Sequence, residues 1–178
     1  MFKHKKKLGQ NFLINKEIIK KIADIGKVHK NTNIIEIGPG SGNLTEELLK
    51  KNPKEIFAIE FDKDLSNYLD KIKNNYKNFN YKISDALTFD EKSIFKKNSI
   101  IYGNLPYNIS LKLLIKWIYS DPWPPFYNQM IFFSQNRQRT WCEMRDMPGR
   151  IQMIPISSTK SGLPAIKIGN SDYDSAIF

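Results

Sequence analysis

The 178 residues are enough for one domain with a hydrophobic core, and 40% hydrophobic with 12% aromatic content excludes a disordered chain. The net charge of +10 is uneven: residues 1–30 hold nine lysines against Glu17 and Asp24, which leaves +7 in that stretch. The single cysteine, Cys142, excludes an intrachain disulfide framework, and no apolar run is long enough to span a membrane.

A lysine-rich lead attracts polyanions, nucleic acid first; the plainer alternative is a solvated tail. The stretch after Lys7 is too short and too polar for the core of a signal peptide. The expectation is therefore a soluble, cytoplasmic protein with no membrane partner.

In chain order, residues 15–29 read as a helix, with Ile18, Ile22 and Ile25 on one face, Ile19 beside them and Asn15 as cap. Residues 33–37 are a β-branched run that ends in Gly38-Pro39-Gly40-Ser41-Gly42, so a strand. A helix is expected over 44–51, capped by Asn43 with Glu46 and stopped by Pro53. Residues 55–60 form the next strand, and 64–73 a helix with Leu65, Leu69 and Ile72 on one face. Strands at 81–84, 99–102 and 129–133 and a helix at 110–119 complete the pattern. Alternating strands and helices predict an α/β fold, a mainly parallel sheet with helices on both faces.

Composition changes near residue 136. No arginine precedes it among 22 lysines; then Arg137, Arg139, Arg145 and Arg150 fall within 14 residues, with four of the five methionines at or after Met130. Periodicity fades over 148–178. Two readings stand: a variable tail, or a shifted reading frame from about residue 134. The second predicts that another frame of the gene restores a lysine-rich, periodic sequence.

Two segments carry chemistry. Gly38, Gly40 and Gly42 follow a strand and precede a helix, where bare backbone lets a ligand approach and free N–H groups wait beyond. Asn43 stands where a dinucleotide fingerprint would put its third glycine, which favours a smaller nucleoside cofactor over one with a pyrophosphate. Glu60 ends the second strand, 22 residues after Gly38, where an acid accepts ribose hydroxyls. Asp85 follows the third strand; its carboxylate suits an adenine amino group, or simply a turn.

Then, 65 residues after Gly38, comes Gly103-Asn104-Leu105-Pro106-Tyr107-Asn108. A base amine is a poor nucleophile because its lone pair is delocalised into the ring. Acceptors on both its hydrogens favour a pyramidal nitrogen. The Asn104 side-chain oxygen and the Leu105 carbonyl suit that task, Pro106 fixes φ and aims the carbonyl, and Tyr107 can stack on the base. The plainer alternative is a strand end with a proline turn and a buried tyrosine.

These residues resemble the KsgA family of ribosomal RNA adenine dimethyltransferases. The matching stretches are Lys7-Leu8-Gly9-Gln10-Asn11-Phe12-Leu13, residues 36–40, Ile59-Glu60-Phe61-Asp62, Asp85-Ala86-Leu87-Thr88-Phe89 and residues 103–110, together about 5–133. The resemblance implies a Rossmann-like fold that uses S-adenosylmethionine to dimethylate N6 of two adjacent adenines near the 3′ end of small-subunit rRNA. It implies that Asn11 and Leu13 close over the cofactor. Gly38 and Gly40 line it, Glu60 holds its ribose and Asp85 meets its adenine. Asn104, with Leu105 and Pro106, lies near both methyl donor and target amine, and Tyr107 stacks on the target base. Lys3, Lys5, Lys6 and Lys7 would contact rRNA phosphate. The implied partner is small-subunit rRNA in a pre-30S-type particle, bound by a monomer without a metal.

The chain departs from the family after the fifth strand. It reads Phe133-Ser134-Gln135-Asn136-Arg137 where members start a helix with Gln-Lys-Glu, and it has no Phe-x-Pro-x-Pro segment. Residues 1–14 are thus expected to be a basic arm, 15–133 the methyltransferase domain, and 134–178 an atypical tail without the C-terminal helical domain or the last two sheet strands. A non-catalytic RNA-binding assembly factor with a retained cofactor site is the alternative from another class. Large-subunit rRNA methyltransferases rank below it, and DNA adenine methyltransferases lower still.

Overall fold

A computed structural model of the chain describes residues 13–94, 99–118 and 127–133, with three further short strands at 142–145, 150–153 and 166–169. The elements run α1 (Lys16–Ile25), β1 (Asn33–Ile37), α2 (Asn43–Leu49), β2 (Glu55–Glu60), α3 (Ser66–Asn75), β3 (Phe79–Ile83), β4 (Ser99–Asn104), α4 (Tyr107–Ile118) and β5 (Tyr127–Phe133). Three strands follow: β6 (Cys142–Arg145), β7 (Arg150–Met153) and β8 (Ile166–Gly169).

The main sheet has the order β3-β2-β1-β4-β5-β6. The first five strands pair in parallel, and β6 pairs antiparallel to β5. β7 and β8 form a separate antiparallel pair. The chain reverses its direction of winding between β1 and β4, and in such sheets ligands bind outside the carboxyl ends of the strands at that switch point. Register aligns those ends: Ile37 of β1 lies opposite Ile59 of β2 and Gly103 of β4.

Because side chains alternate along a strand, β1, β2, β4 and β5 each feed two cores. Ile34, Ile56, Ala58, Ile100, Tyr102 and Ile131 pack with Ile22, Leu48 and Leu69 from the first three helices. Ile35, Ile59, Ile101, Met130 and Phe132 pack with Leu113 and Trp117 of α4. Ile34, Ile35, Ile56 and Ile101 are fully buried, each contributing roughly 1.5–3 kcal/mol over exposure. Trp117 stacks on Phe132 with ring centroids 5.7 Å apart.

Several boundaries differ from expectation. α1 ends at Ile25, four residues before the expected end at 29, although Asn15 caps it as expected, its side chain accepting from the Ile18 amide at 3.1 Å. β3 begins at Phe79 rather than 81, because the Phe79 side chain is buried in the first core. A single 3-10 turn over Lys63–Leu65 precedes α3, so that helix starts at Ser66. α4 starts at Tyr107, three residues earlier than expected, because the Pro106 carbonyl caps it, accepting from the Ile109 and Ser110 amides at 3.0 Å each. The sheet also does not stop at 133: β6 extends it.

Candidate cofactor and catalytic site

The glycine loop leaves β1 through three left-handed residues, with φ of 68° at Gly38, 62° at Gly40 and 85° at Gly42. An L side chain there costs about 1–2 kcal/mol, so glycine is required by conformation before any ligand is considered. The loop is fastened at both ends. The Gly38 amide donates to the Ile59 carbonyl at 2.9 Å, and the Glu46 amide donates to the Gly42 carbonyl at 2.9 Å as α2 begins.

The expected side-chain cap of α2 is absent. Gly42 occupies the cap position, and Asn43 is the first helical residue. The Asn43 side chain turns outward and donates to the Leu13 carbonyl at 2.8 Å. It thereby ties the segment expected to close over the cofactor to the start of α2.

Two buried acids flank the loop. Glu60, 5% exposed, accepts the Gly40 amide on Oε2 at 3.0 Å and the Asp62 amide on Oε1 at 2.8 Å. Burial pushes its carboxyl above the ordinary range, against the lowering effect of amides from Asp62, Gly40 and Phe61. Glu36 lies on β1 two residues before Gly38 and accepts the Thr45 hydroxyl at 2.7 Å. Burial pushes Glu36 up to about 7; the Thr45 bond works against this and the nearby Glu60 charge adds to it.

The sequence reading missed Glu36 and Thr45. The signal was an acid inside the apolar run Asn33-Ile34-Ile35-Glu36-Ile37. It also gave no role to Phe61, which presents a ring 62% exposed directly after Glu60.

Asp85 sits beside this strand end, because the Ser84 amide donates to the Glu60 carbonyl at 2.8 Å. Its Oδ1 accepts the Leu87 amide at 2.9 Å, and its own carbonyl accepts the Thr88 and Phe89 amides, which folds residues 85–89 into a compact turn.

Across the switch point, β4 delivers Asn104-Leu105-Pro106 against the glycine loop. A Cβ on Gly38 would lie 3.1 Å from Leu105 Cδ2 and 3.9 Å from the Asn104 carbonyl oxygen. Gly103 is required for a separate reason: a Cβ there would meet the Phe132 ring at 2.8 Å. The Pro106 carbonyl is taken by the start of α4.

The structure thus brings Gly38, Gly40, Glu60, Asn104, Leu105 and Pro106 to one end of the sheet, with Asp85 and Leu13 tied to its margins. Asn11, Lys3, Lys5, Lys6, Lys7 and the Tyr107 side chain lie outside what the structure describes. Among the described residues no group of acids, histidines or cysteines could hold a metal, and no helix is long and apolar enough to cross a membrane.

This sheet order, with its glycine loop and strand-end acid, is a Rossmann-like methyltransferase fold. It superposes on the crystal structure of a dimethyladenosine transferase from Plasmodium falciparum with a TM-score of 0.59 and 28% identity, over 71% of this chain and 44% of that one. The model of the ribosomal RNA adenine dimethylase family matches residues 1–143, and the chain belongs to that family.

Curated relatives agree. The ribosomal RNA small subunit methyltransferase A of Pelagibacter ubique is 46% identical over 117 residues, 65% of this chain and 43% of its own length. That of Wolbachia from Drosophila simulans is 43% identical over 120 residues, 66% of this chain and 44% of its own length. The chain therefore spans less than half the length of these relatives.

Proposed function

We propose that this chain supplies the cofactor-binding and catalytic half of an enzyme that dimethylates N6 of two adjacent adenines near the 3′ end of small-subunit rRNA. The observation that carries the reading is the contact between the glycine loop and the catalytic turn, where a Cβ on Gly38 would come within 3.1 Å of Leu105. A methyl donor in the loop and an amine at the turn would then be neighbours.

The residues present fit S-adenosylmethionine, which when bound supplies an electrophilic methyl on sulfonium sulfur. Gly38 and Gly40 offer bare backbone for its methionine end. The Glu60 carboxylate accepts the Gly40 and Asp62 amides and, with about four acceptor sites, has room for a ribose hydroxyl as well. The exposed Phe61 ring suits a flat purine, and Asp85 suits its amino group. Asn11 and Leu13 would close the site.

The Asn104 side chain and the Leu105 carbonyl would accept from the two N6 hydrogens and hold the nitrogen lone pair toward the methyl group, while Tyr107 stacks on the base. Orientation and charge stabilisation then carry the step. Lys3, Lys5, Lys6 and Lys7 would draw rRNA phosphate to this end, in a pre-30S-type particle and in the cytoplasm, with the enzyme acting as a monomer. In this reading residues 1–14 act as an arm, 15–133 as the catalytic domain and 134–178 as an added tail.

The test is methyl-label transfer from S-adenosylmethionine to small ribosomal subunits that lack the modification, followed by nucleoside analysis. Labelled N6,N6-dimethyladenosine is expected. Cofactor binding with no labelled adenosine would overturn the catalytic reading in favour of an assembly factor.

A further inference from the structure

A charged residue beside the second core is not used by the chemistry above. Lys116, on the last turn of α4, has an Nζ 2.9 Å from the Ala86 carbonyl and bonded to that of Phe89. The same Nζ lies 2.9 and 3.0 Å from the two Glu91 carboxylate oxygens. The pair is well enclosed, with the Glu91 side chain 3% exposed and that of Lys116 30%.

A buried ion pair is weak grounds for stability, since desolvation offsets much of the attraction. What distinguishes this one is where the donors go. An ammonium has three N–H groups. Here its acceptors are two carbonyls and one carboxylate, all on residues 86–91. Among the described residues, Lys116 fastens that one segment to α4.

Both ends of the connection matter. The segment is the turn opened by Asp85, whose internal hydrogen bonds set its shape but not its place on the sheet. The helix is the direct continuation of Asn104-Leu105-Pro106, whose last carbonyl caps it. One side chain therefore spans from the turn at the end of β3 to the helix that begins at the end of β4.

We infer that Lys116 is a positioning residue: by tying the Asp85 turn to α4, it sets the place of the cofactor's adenine acceptor relative to the turn that presents the target amine. The inference rests on the cofactor reading above. It also gives Glu91 a part, as the counter-charge that meets the same ammonium.

A double-mutant cycle on the full chain tests it, with S-adenosylmethionine affinity read by calorimetry and folding by circular dichroism. Lys116→Met should weaken binding about tenfold in the otherwise unchanged chain and less than about twofold in an Asp85→Ala background, because residues that act through one another are non-additive. Lys116→Met may be replaced by Glu91→Gln if the former does not fold; its smaller loss, about threefold, should likewise vanish with Asp85→Ala. Equal losses in both backgrounds, or none in the unchanged one, overturn the inference and leave a merely structural ion pair. Failure of the unsubstituted chain to bind S-adenosylmethionine overturns the cofactor reading itself, and this inference with it.

Discussion

The two faces of the sheet are closed by different means. Three helices cover one face with isoleucine and leucine, and its one buried acid on β1, Glu36, meets Thr45 of α2. The other face is covered by α4 and by a segment with no α-helix, residues 84–94. There the Ala86 and Phe89 carbonyls accept from the Lys116 ammonium, which also pairs with the Glu91 carboxylate. The first face sends Glu36 and Glu60 toward the glycine loop, and the other carries Asp85 on the turn at the same end of the sheet. Apolar packing places the elements, and a few buried polar contacts aim the loops.

The site is where the two faces meet, so the largest effects should come from residues shared there. Glu60→Ala removes the acceptor of two amides and of the proposed ribose hydroxyls. With charge-assisted bonds worth about 1.5–3 kcal/mol each, affinity for S-adenosylmethionine should fall by about 10²-fold or more in calorimetry. Unchanged affinity would remove Glu60 from the site. Asn104→Ala should cut turnover by on the order of 10²-fold with a much smaller change in cofactor affinity, since its acceptor acts mainly in the transition state. Full single-turnover activity would refute that role.

Glu36→Gln probes the first face alone. Burial pushes the folded carboxyl up to about 7 from its ordinary value of 4.5, so the folded state holds the extra proton between these values. Its contribution to stability is therefore complete below pH 4.5 and is lost as pH rises through 7, by up to on the order of 3 kcal/mol. Denaturant titrations across this range should show that fall in the unchanged chain and a flatter profile in Glu36→Gln, which still accepts from Thr45. Identical profiles would place Glu36 outside the low-dielectric core. The smallest effect is expected of Asn43→Ala, which loses one bond to Leu13: about 1 kcal/mol of stability, and faster amide exchange near residue 13. Unaltered exchange there would show that Asn43 does not hold the arm.

The strands that carry the site were legible because their signals are local. The runs at 33–37 and 55–60 end in glycine and glutamate, and the structure keeps both ranges. The start of α4 was not: Pro106 reads as a turn residue, yet its carbonyl opens the helix. Asn43 reads as a cap because its type suits one, but Gly42 in the left-handed region already provides the turn and frees the side chain for Leu13. β6 left no trace because Cys-Glu-Met-Arg has no β-branched residue; its pairing to β5 is a matter of register. The Lys116–Glu91 contact joins residues 25 apart on elements with no shared pattern, so only the fold reveals it.

The most direct measurement is a calorimetric titration of the purified chain with S-adenosylmethionine. The account predicts saturable binding at one site per chain, abolished or strongly weakened by Glu60→Ala. No binding by a folded chain would contradict it, because the glycine loop, Glu60 and Asp85 would then share one end of the sheet without forming a cofactor site.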